Sequence, residues 1–383
     1  MRIKKKSKSK RIVEAAIQDG AGYFIGLIPG LSWFPIPIET LKVLRQLRQE
    51  SSPFNYVDWE LKNWPKIYYK ELNSVVFLNY RGKKFFLPQV LFLNNIDRKL
   101  ELTQVDFQIQ KEPFELLPQI KALTEKSFEH LWRSGNFYNE QHLRLLDIIE
   151  KNSKHITLLV QPVEYRSYVH TNLVLDASKG NAKTLREHIH RDGELEKLSN
   201  SQLANTLGID ILLFTADGSL VMQERSGKVA FRRGELCPSA SGGISRTDIP
   251  LDGISLEEMP KLREAFEEIG IGKEDVKEIF FLGITRELIR GGQPEMFFFA
   301  RTNLSERQIR EKWEHARDKW ETKKLYFFSF GIENAFENLD GNDKKYKFSL
   351  RLDEFVERYV EISSIPLLTN LALWREYRLK HNQ

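Results

Sequence analysis

An α/β fold with a mixed sheet is predicted for this 383-residue chain on three observations. Ile209–Phe214 and Leu220–Gln223 are apolar runs flanking Ala216-Asp217-Gly218-Ser219, and the Asp-Gly step predicts a hairpin. Lys277–Glu287 and Glu295–Arg301 form a second strand pair around Arg290-Gly291-Gly292-Gln293-Pro294. Charged or amphipathic helical segments alternate with these strands: one ending at Gly270, one over Ser305–Glu321 and one over Leu367–Leu379. Mixed strands between flanking helices give an α/β sandwich.

The length exceeds one ordinary domain and gives two as the natural expectation. Apolar content of 41% and charged content of 29% are those of an ordinary globular chain. A single cysteine, Cys237, excludes an internal disulfide framework and fits a reducing, cytoplasmic setting. Residues 1–11 hold seven cations and no acid, which leaves the body with 51 cations against 53 acids. The body is near neutral, so no nucleic-acid partner is expected.

Three regions are expected: 1–50, 51–160 and 161–383. After the basic tail, Gly20–Ile38 carries no charge, but four glycines and Pro29, Pro35 and Pro37 exclude a spanning helix and a secretory signal. A packed apolar loop leading into a helix at 39–49 is favoured there. Membrane contact through residues 1–38, as an interfacial anchor helped by the basic tail, is the other reading.

Residues 51–160 are expected to form an α+β region. Asn73–Phe77 and Lys84–Leu93 read as a hairpin around Tyr80-Arg81-Gly82-Lys83, and Val105, Phe107 and Ile109 alternate as a half-buried strand. Leu116–Trp132 and Glu140–Lys151 have helical spacing. Trp59, Trp64, Tyr68 and Tyr69 read as core aromatics rather than as a ligand cage. Beyond them Ile156–Gln161 and Tyr168–Leu175 read as strands, and residues 182–191, with His188 and His190, as a solvated helix or loop.

The chemistry concentrates in Arg263-Glu264-Ala265-Phe266-Glu267-Glu268-Ile269-Gly270-Ile271. On a helix Glu264, Glu267 and Glu268 share one face, where their mutual repulsion is relieved by a divalent cation. Taken alone, such a cluster is more often a solvated acidic face. The ordered string Arg-Glu-x-x-Glu-Glu-x-Gly-aliphatic, however, resembles the second half of the Nudix box of Nudix hydrolases. The likeness extends over residues 160–380.

That resemblance implies a Nudix-type α/β/α sandwich and Mg²⁺ (or Mn²⁺) held by Glu264, Glu267 and Glu268. The first half of the box departs from the family. Its glycine and outer glutamate would fall on Ile249 and Ser255. An insertion repairs the register: Gly242-Gly243 become the box glycines, Gly243 lends a carbonyl to the metal, and Ile244 to about Gly253 is a lengthened loop. Ser255 and Glu258 have capping-box spacing, and Glu257 or Glu258 stands in for the outer glutamate.

Within the superfamily the chain is weakly similar to UDP-glucose pyrophosphatase-type proteins, which implies a nucleotide-diphosphate small molecule as ligand. Cys237 ahead of Gly242 also resembles the isopentenyl-diphosphate isomerase layout, but matching histidine ligands are absent and an inert thiol is favoured.

The implied reaction is metal-dependent cleavage of the phosphoanhydride of a nucleoside diphosphate derivative, such as UDP-glucose. Glu264, Glu267 and Glu268 are its catalytic candidates, and a loop acid, Glu287 or Glu295, is a candidate proton acceptor. Arg225, Arg286 and Arg290, with Arg232 and Arg233, are candidates for phosphate, because guanidinium forks match phosphate oxygens. Glu295 completes the substrate-binding set. A non-catalytic Nudix-fold nucleotide sensor is the alternative.

Overall fold

The computed structural model describes residues 64–134, 137–152, 154–177, 183–227, 229, 232–259, 267–316, 319–330 and 341–381, without the side chains of 134, 267, 273 and 341–349. The expected tail, apolar segment and helix at 39–49 lie outside these residues, as do Trp59 and Arg263 to Phe266.

Two mixed sheets and several helices give an α/β architecture. In chain order the strands are β1 (Val75–Tyr80), β2 (Lys83–Asn94), β3 (Val105–Ile109), β4 (Gln141–Asn152), β5 (His155–Glu164), β6 (Gly208–Phe214), β7 (Ser219–Arg225), β8 (Leu236–Cys237), β9 (Ala240–Gly243), β10 (Ile254–Ser255), β11 (Val276–Glu287), β12 (Gln293–Thr302) and β13 (Thr322–Ser329). The helices used below are α1 (Pro118–Ser134), α2 (Tyr165–Tyr168), α3 (Leu185–Ile189), α4 (Glu306–Trp313), α5 (Gly341–Tyr359) and α6 (Ile365–His381). The main sheet runs β1-β2-β11-β12-β6-β7-β13, with β8 beside β7 and β9 beside β6. Its β12–β6 pair is parallel and its other pairs are antiparallel. The second sheet runs β10-β3-β5-β4.

Local chemistry accounts for the hairpins. Arg81 and Gly82 take positive φ values of 47° and 74°, the two left-handed residues that a tight β1–β2 turn needs. Every residue of β6 is buried, because both faces of the main sheet are covered. Leu212, Phe214, Phe297 and Phe299 pack on one face beneath Leu367, Leu371 and Trp374 of α6. Ile209, Ile211, Met296 and Phe298 pack on the other face against Phe107, Leu145 and Leu158 of the second sheet.

The expected boundary between residues 160 and 161 falls inside β5, and the β1–β2 hairpin extends the main sheet through β2 and β11. The lengthened loop is itself structured. Ile249 is fully buried, Gly253 (φ 88°) passes within contact of the Phe107 carbonyl, and Ile254–Ser255 pairs with β3. The Ser255 hydroxyl meets Glu258 at 2.9 Å, as the capping-box spacing anticipates.

Other segments depart from expectation. Glu140–Lys151 is a strand, not a helix, because a bulge between Leu145 and Asp147 shifts the alternation and imitates helical spacing. Tyr168–Leu175 is not a strand. Val169–Leu173 is a buried π-helical turn in which Thr171 Oγ1 donates to the Ser167 carbonyl at 2.7 Å. A wholly buried run carries no period that separates the two forms. The helix expected over Ser305–Glu321 is α4 followed by a short 3₁₀ turn at Lys319–Glu321. Residues 182–191 contain the short helix α3, but Arg186 and His190 are buried rather than solvated.

One glycine fixes the bend that carries β11 past β2. Gly283 has φ 149°, lies at a register shift, and a Cβ there would come within 2.2 Å of the Leu93 carbonyl oxygen. Gly283→Ala is expected to cost about 2 kcal/mol or more in urea unfolding, because backbone rather than a flexible side chain must move.

Candidate active site

The parallel β12–β6 pair sets Glu295 beside Gly208, and Gly208 pairs on its other side with Gly243. The Glu295 side chain packs over Gly208, where a Cβ would lie 3.4 Å from Glu295 Cγ. The β11–β12 register sets Thr285 opposite Glu295 and Glu287 opposite Gln293. Strand alternation therefore brings Thr285, Glu287, Gln293, Glu295 and Asp210 to one face of the sheet.

Donors from the surrounding elements hold these acids. Gln89 Nε2 donates to Glu295 Oε2 at 2.9 Å, and Thr285 Oγ1 fixes the same amide by donating to Gln89 Oε1 at 2.5 Å. Tyr168 donates its hydroxyl proton to Gln293 Oε1 at 2.6 Å. Arg232, itself at φ 53°, pairs with Glu287 at 2.8 Å. Glu287, Glu295 and Asp210 are all buried, so the ion pair and the amide donors offset a large desolvation cost.

The electrostatics follow from that crowding. Burial, then the charges of Glu287 and Asp210, push the Glu295 carboxyl well above the usual carboxylate range. Burial lifts Asp210 to about 7, while Arg232 and the Ser241 hydroxyl pull it down. Burial opposes the charge on Arg232, but Glu287 and Glu295 outweigh it and raise the guanidinium. Burial moves the Cys237 thiol up to about 11, which makes it unreactive and fits the inert reading.

A pH dependence follows. Asp210 keeps its proton to about 7 when folded and releases it near 3.8 when unfolded. The folded state thus binds more protons between those values, and stability falls as pH rises through that window. Asp210→Asn is expected to flatten this slope and to gain on the order of a few kcal/mol above pH 7. Urea midpoints at pH 5 and pH 8 check it, and equal slopes in both proteins contradict it.

The sequence-derived residues divide between two faces. Arg225 and Arg290 are half-buried and both act electrostatically on the Tyr165 hydroxyl, Arg225 also on Asp210 and Arg290 also on Tyr168. Arg286 points off the opposite face. Its Nε donates to the Gly292 carbonyl at 3.1 Å, and Glu71, Tyr68 and Glu196 attract it while burial lowers it to about 10.

Gly243 sits in β9 under the His142 ring, whose Nδ1 would be 2.8 Å from a Cβ there. Glu264 lies outside the described residues. Glu267 begins the 3₁₀ turn Glu267–Ile269 with its side chain undescribed, and Glu268 is half-buried. Gly270 follows at φ 75°, the left-handed residue expected at that helix end. Among the described residues no three His, Cys, Asp or Glu side chains gather closely enough to hold a metal.

Asp210, Tyr168 and Gln89 were missed. Asp210 carried a signal, as a lone acid inside the apolar run Ile209–Phe214. Tyr168 and Gln89 carried none.

A second buried network fixes the loop between β11 and β12. Arg186 makes a double contact with Asp176 (2.6 and 2.5 Å) and donates to the carbonyls of Leu288 and Ile289 and to the Tyr68 hydroxyl. Tyr68 in turn meets His190 Nδ1 at 2.8 Å, and burial pushes that imidazole down to about 3. Asn172 adds a 2.7 Å bond to the Arg290 carbonyl. The segment that presents Glu287 and Arg290 is thereby tied to three other parts of the chain.

No helix among the described residues is long and apolar enough to cross a membrane. No protein-family model and no curated protein matches the chain. Among solved structures, that of DR0079 from Deinococcus radiodurans is similar over 40% of this chain and 82% of that one, at 11% identity. Its TM-score of 0.25 carries no conclusion about fold or function.

Proposed function

We propose that the chain is a Nudix-type hydrolase that cleaves the phosphoanhydride of a nucleoside diphosphate derivative, of which a nucleotide sugar such as UDP-glucose is one. The supporting observation is the gathering of Glu287, Glu295 and Asp210 about Arg232, with Arg225 acting on Asp210 and Arg290 on the neighbouring Tyr168. The main sheet between α6 and the second sheet supplies the frame, and the sandwich of the Nudix type belongs to this proposal.

In this reading Arg225 and Arg290 bind the diphosphate oxygens as bidentate donors. Water attacks one phosphorus and the bridging P–O bond breaks. Glu287, ion-paired to Arg232, accepts the water's proton. Glu295, whose carboxyl burial and the neighbouring Glu287 and Asp210 push well above the usual carboxylate range, gives a proton to the leaving phosphate. Glu264, Glu267, Glu268 and the Gly243 carbonyl would hold Mg²⁺ or Mn²⁺, which would neutralise phosphate charge. The test is phosphate or nucleotide release from a panel of nucleotide sugars and dinucleotides, by the wild type beside Glu295→Gln.

One observation favours the alternative, a non-catalytic nucleotide sensor. The segment where an unaltered box would begin is committed elsewhere, with Ile249 in the core and Ser255 paired to β3. Ligand binding with no turnover at any metal concentration would select it.

A further inference from the structure

Gln293 stands between the acid cluster and Tyr168. It is 9% exposed and lies opposite Glu287 across the β11–β12 pair. Tyr168, buried in α2, donates its hydroxyl proton to Gln293 Oε1 at 2.6 Å. That contact sets the amide's direction, with Oε1 turned to the tyrosine and Nε2 turned away from it. Nε2 stands 3.9 Å from the point that a Cβ on Gly208 would occupy, and Glu295 Cγ stands 3.4 Å from the same point. The two N–H groups therefore lie beside the Glu295 side chain, and among the described residues they have no acceptor.

A buried donor without an acceptor is costly, and the surroundings say which acceptor fits. Asp210, Glu287 and Glu295 crowd this face, and Arg232 is engaged by Glu287. A cation at position 293 would be held by those carboxyls. A neutral amide already fixed through its oxygen keeps both N–H groups for an acceptor that enters from outside. Phosphoryl oxygens accept hydrogen bonds and donate none, so they match a group that offers only N–H on this side.

We propose that Gln293 is a substrate-binding residue whose Nε2 donates to a non-bridging oxygen of the phosphoryl group beside Glu295, and that Tyr168 is the positioning residue that aims it. The proposal rests on the phosphoanhydride reading of the site, because that reading puts the leaving phosphate at Glu295. Charge builds on that phosphate as the P–O bond breaks, and a donor already aimed at it gains strength without reorganising.

The test is calorimetric titration with methylenediphosphonate, whose P–C–P bridge resists cleavage, in a Mg²⁺ buffer. The proteins are the wild type, Gln293→Met, Gln293→Glu, Tyr168→Phe and Tyr168→Phe/Gln293→Met, each with a urea midpoint to show that it is folded. Gln293→Met keeps the length of the side chain without its N–H groups and is expected to bind about tenfold more weakly. Gln293→Glu keeps an acceptor for Tyr168 but puts an oxygen where Nε2 was, and should lose at least as much. Tyr168→Phe releases the amide to turn its oxygen to the phosphate and should lose about threefold. In the Gln293→Met background the same change should cost no further affinity, a pattern that a merely structural tyrosine would not give. Equal affinity in the wild type and both Gln293 variants overturns the proposal, as does a wild type that does not bind the probe. If that wild type still cleaves a nucleotide sugar, the hydrolase reading stands without the proposal. Affinity that depends on Gln293, with no turnover of any nucleotide, supports the contact and removes the hydrolase reading instead.

Discussion

Glu295→Gln is expected to lower cleavage of the preferred nucleotide substrate by about 10²–10⁴-fold while leaving the fold intact. The replacement is isosteric and can keep the contact with Gln89 Nε2 through its own carbonyl oxygen. It removes a carboxyl that burial and the neighbouring Glu287 and Asp210 already disfavour in its charged form. Stability should therefore hold or rise as activity collapses, and kcat beside urea unfolding reads the two separately. Glu287→Gln differs, because it strips Arg232 of its ion-pair partner and should lose stability as well as activity. A Glu295→Gln protein with wild-type kcat removes Glu295 from the chemistry.

The largest loss of stability is expected at Arg186. Arg186→Ala should cost about 3–5 kcal/mol, since it leaves Asp176 buried without its cation and frees two buried carbonyls. Arg186→Lys keeps the charge but not the fork that meets Asp176 and both carbonyls together, so it should recover only part of the loss. Urea unfolding of the three proteins measures this. Because the same carbonyls belong to the loop before Arg290, residual folded Arg186→Lys should also bind nucleotide more weakly. Full stability in Arg186→Ala contradicts the account of that network.

What the sequence made legible was local. The Arg81-Gly82 and Asp217-Gly218 turns, the alternation at Val105–Ile109 and the strands flanking Gly291-Gly292 each carry their own signal, and all are present as read. Where a signal depended on partners it failed. The bulge in β4 mimicked a helix, and the buried turn Val169–Leu173 mimicked a strand.

The same division holds at the site. Glu295, Arg225 and Arg290 stand near turns or strand ends that motif reasoning reaches. Arg286 is one residue from Glu287, yet alternation sends it to the other face. Tyr168 and Gln89 join only through pairing across more than a hundred residues, which no spacing along the chain encodes. Asp210 alone could have been singled out, because an acid in a strand buried on both faces needs a reason.

The central claim is that this chain breaks a phosphoanhydride with the box glutamates and the acid cluster. Incubation with nucleotide sugars and dinucleotides, with Mg²⁺ or Mn²⁺, beside a Glu267→Gln/Glu268→Gln variant tests it most directly. The account predicts metal-dependent cleavage of at least one member by the wild type, lost in the variant. Ligand binding that is metal-independent and equal in both proteins, with no product formed, would contradict it and leave the sensor reading in its place.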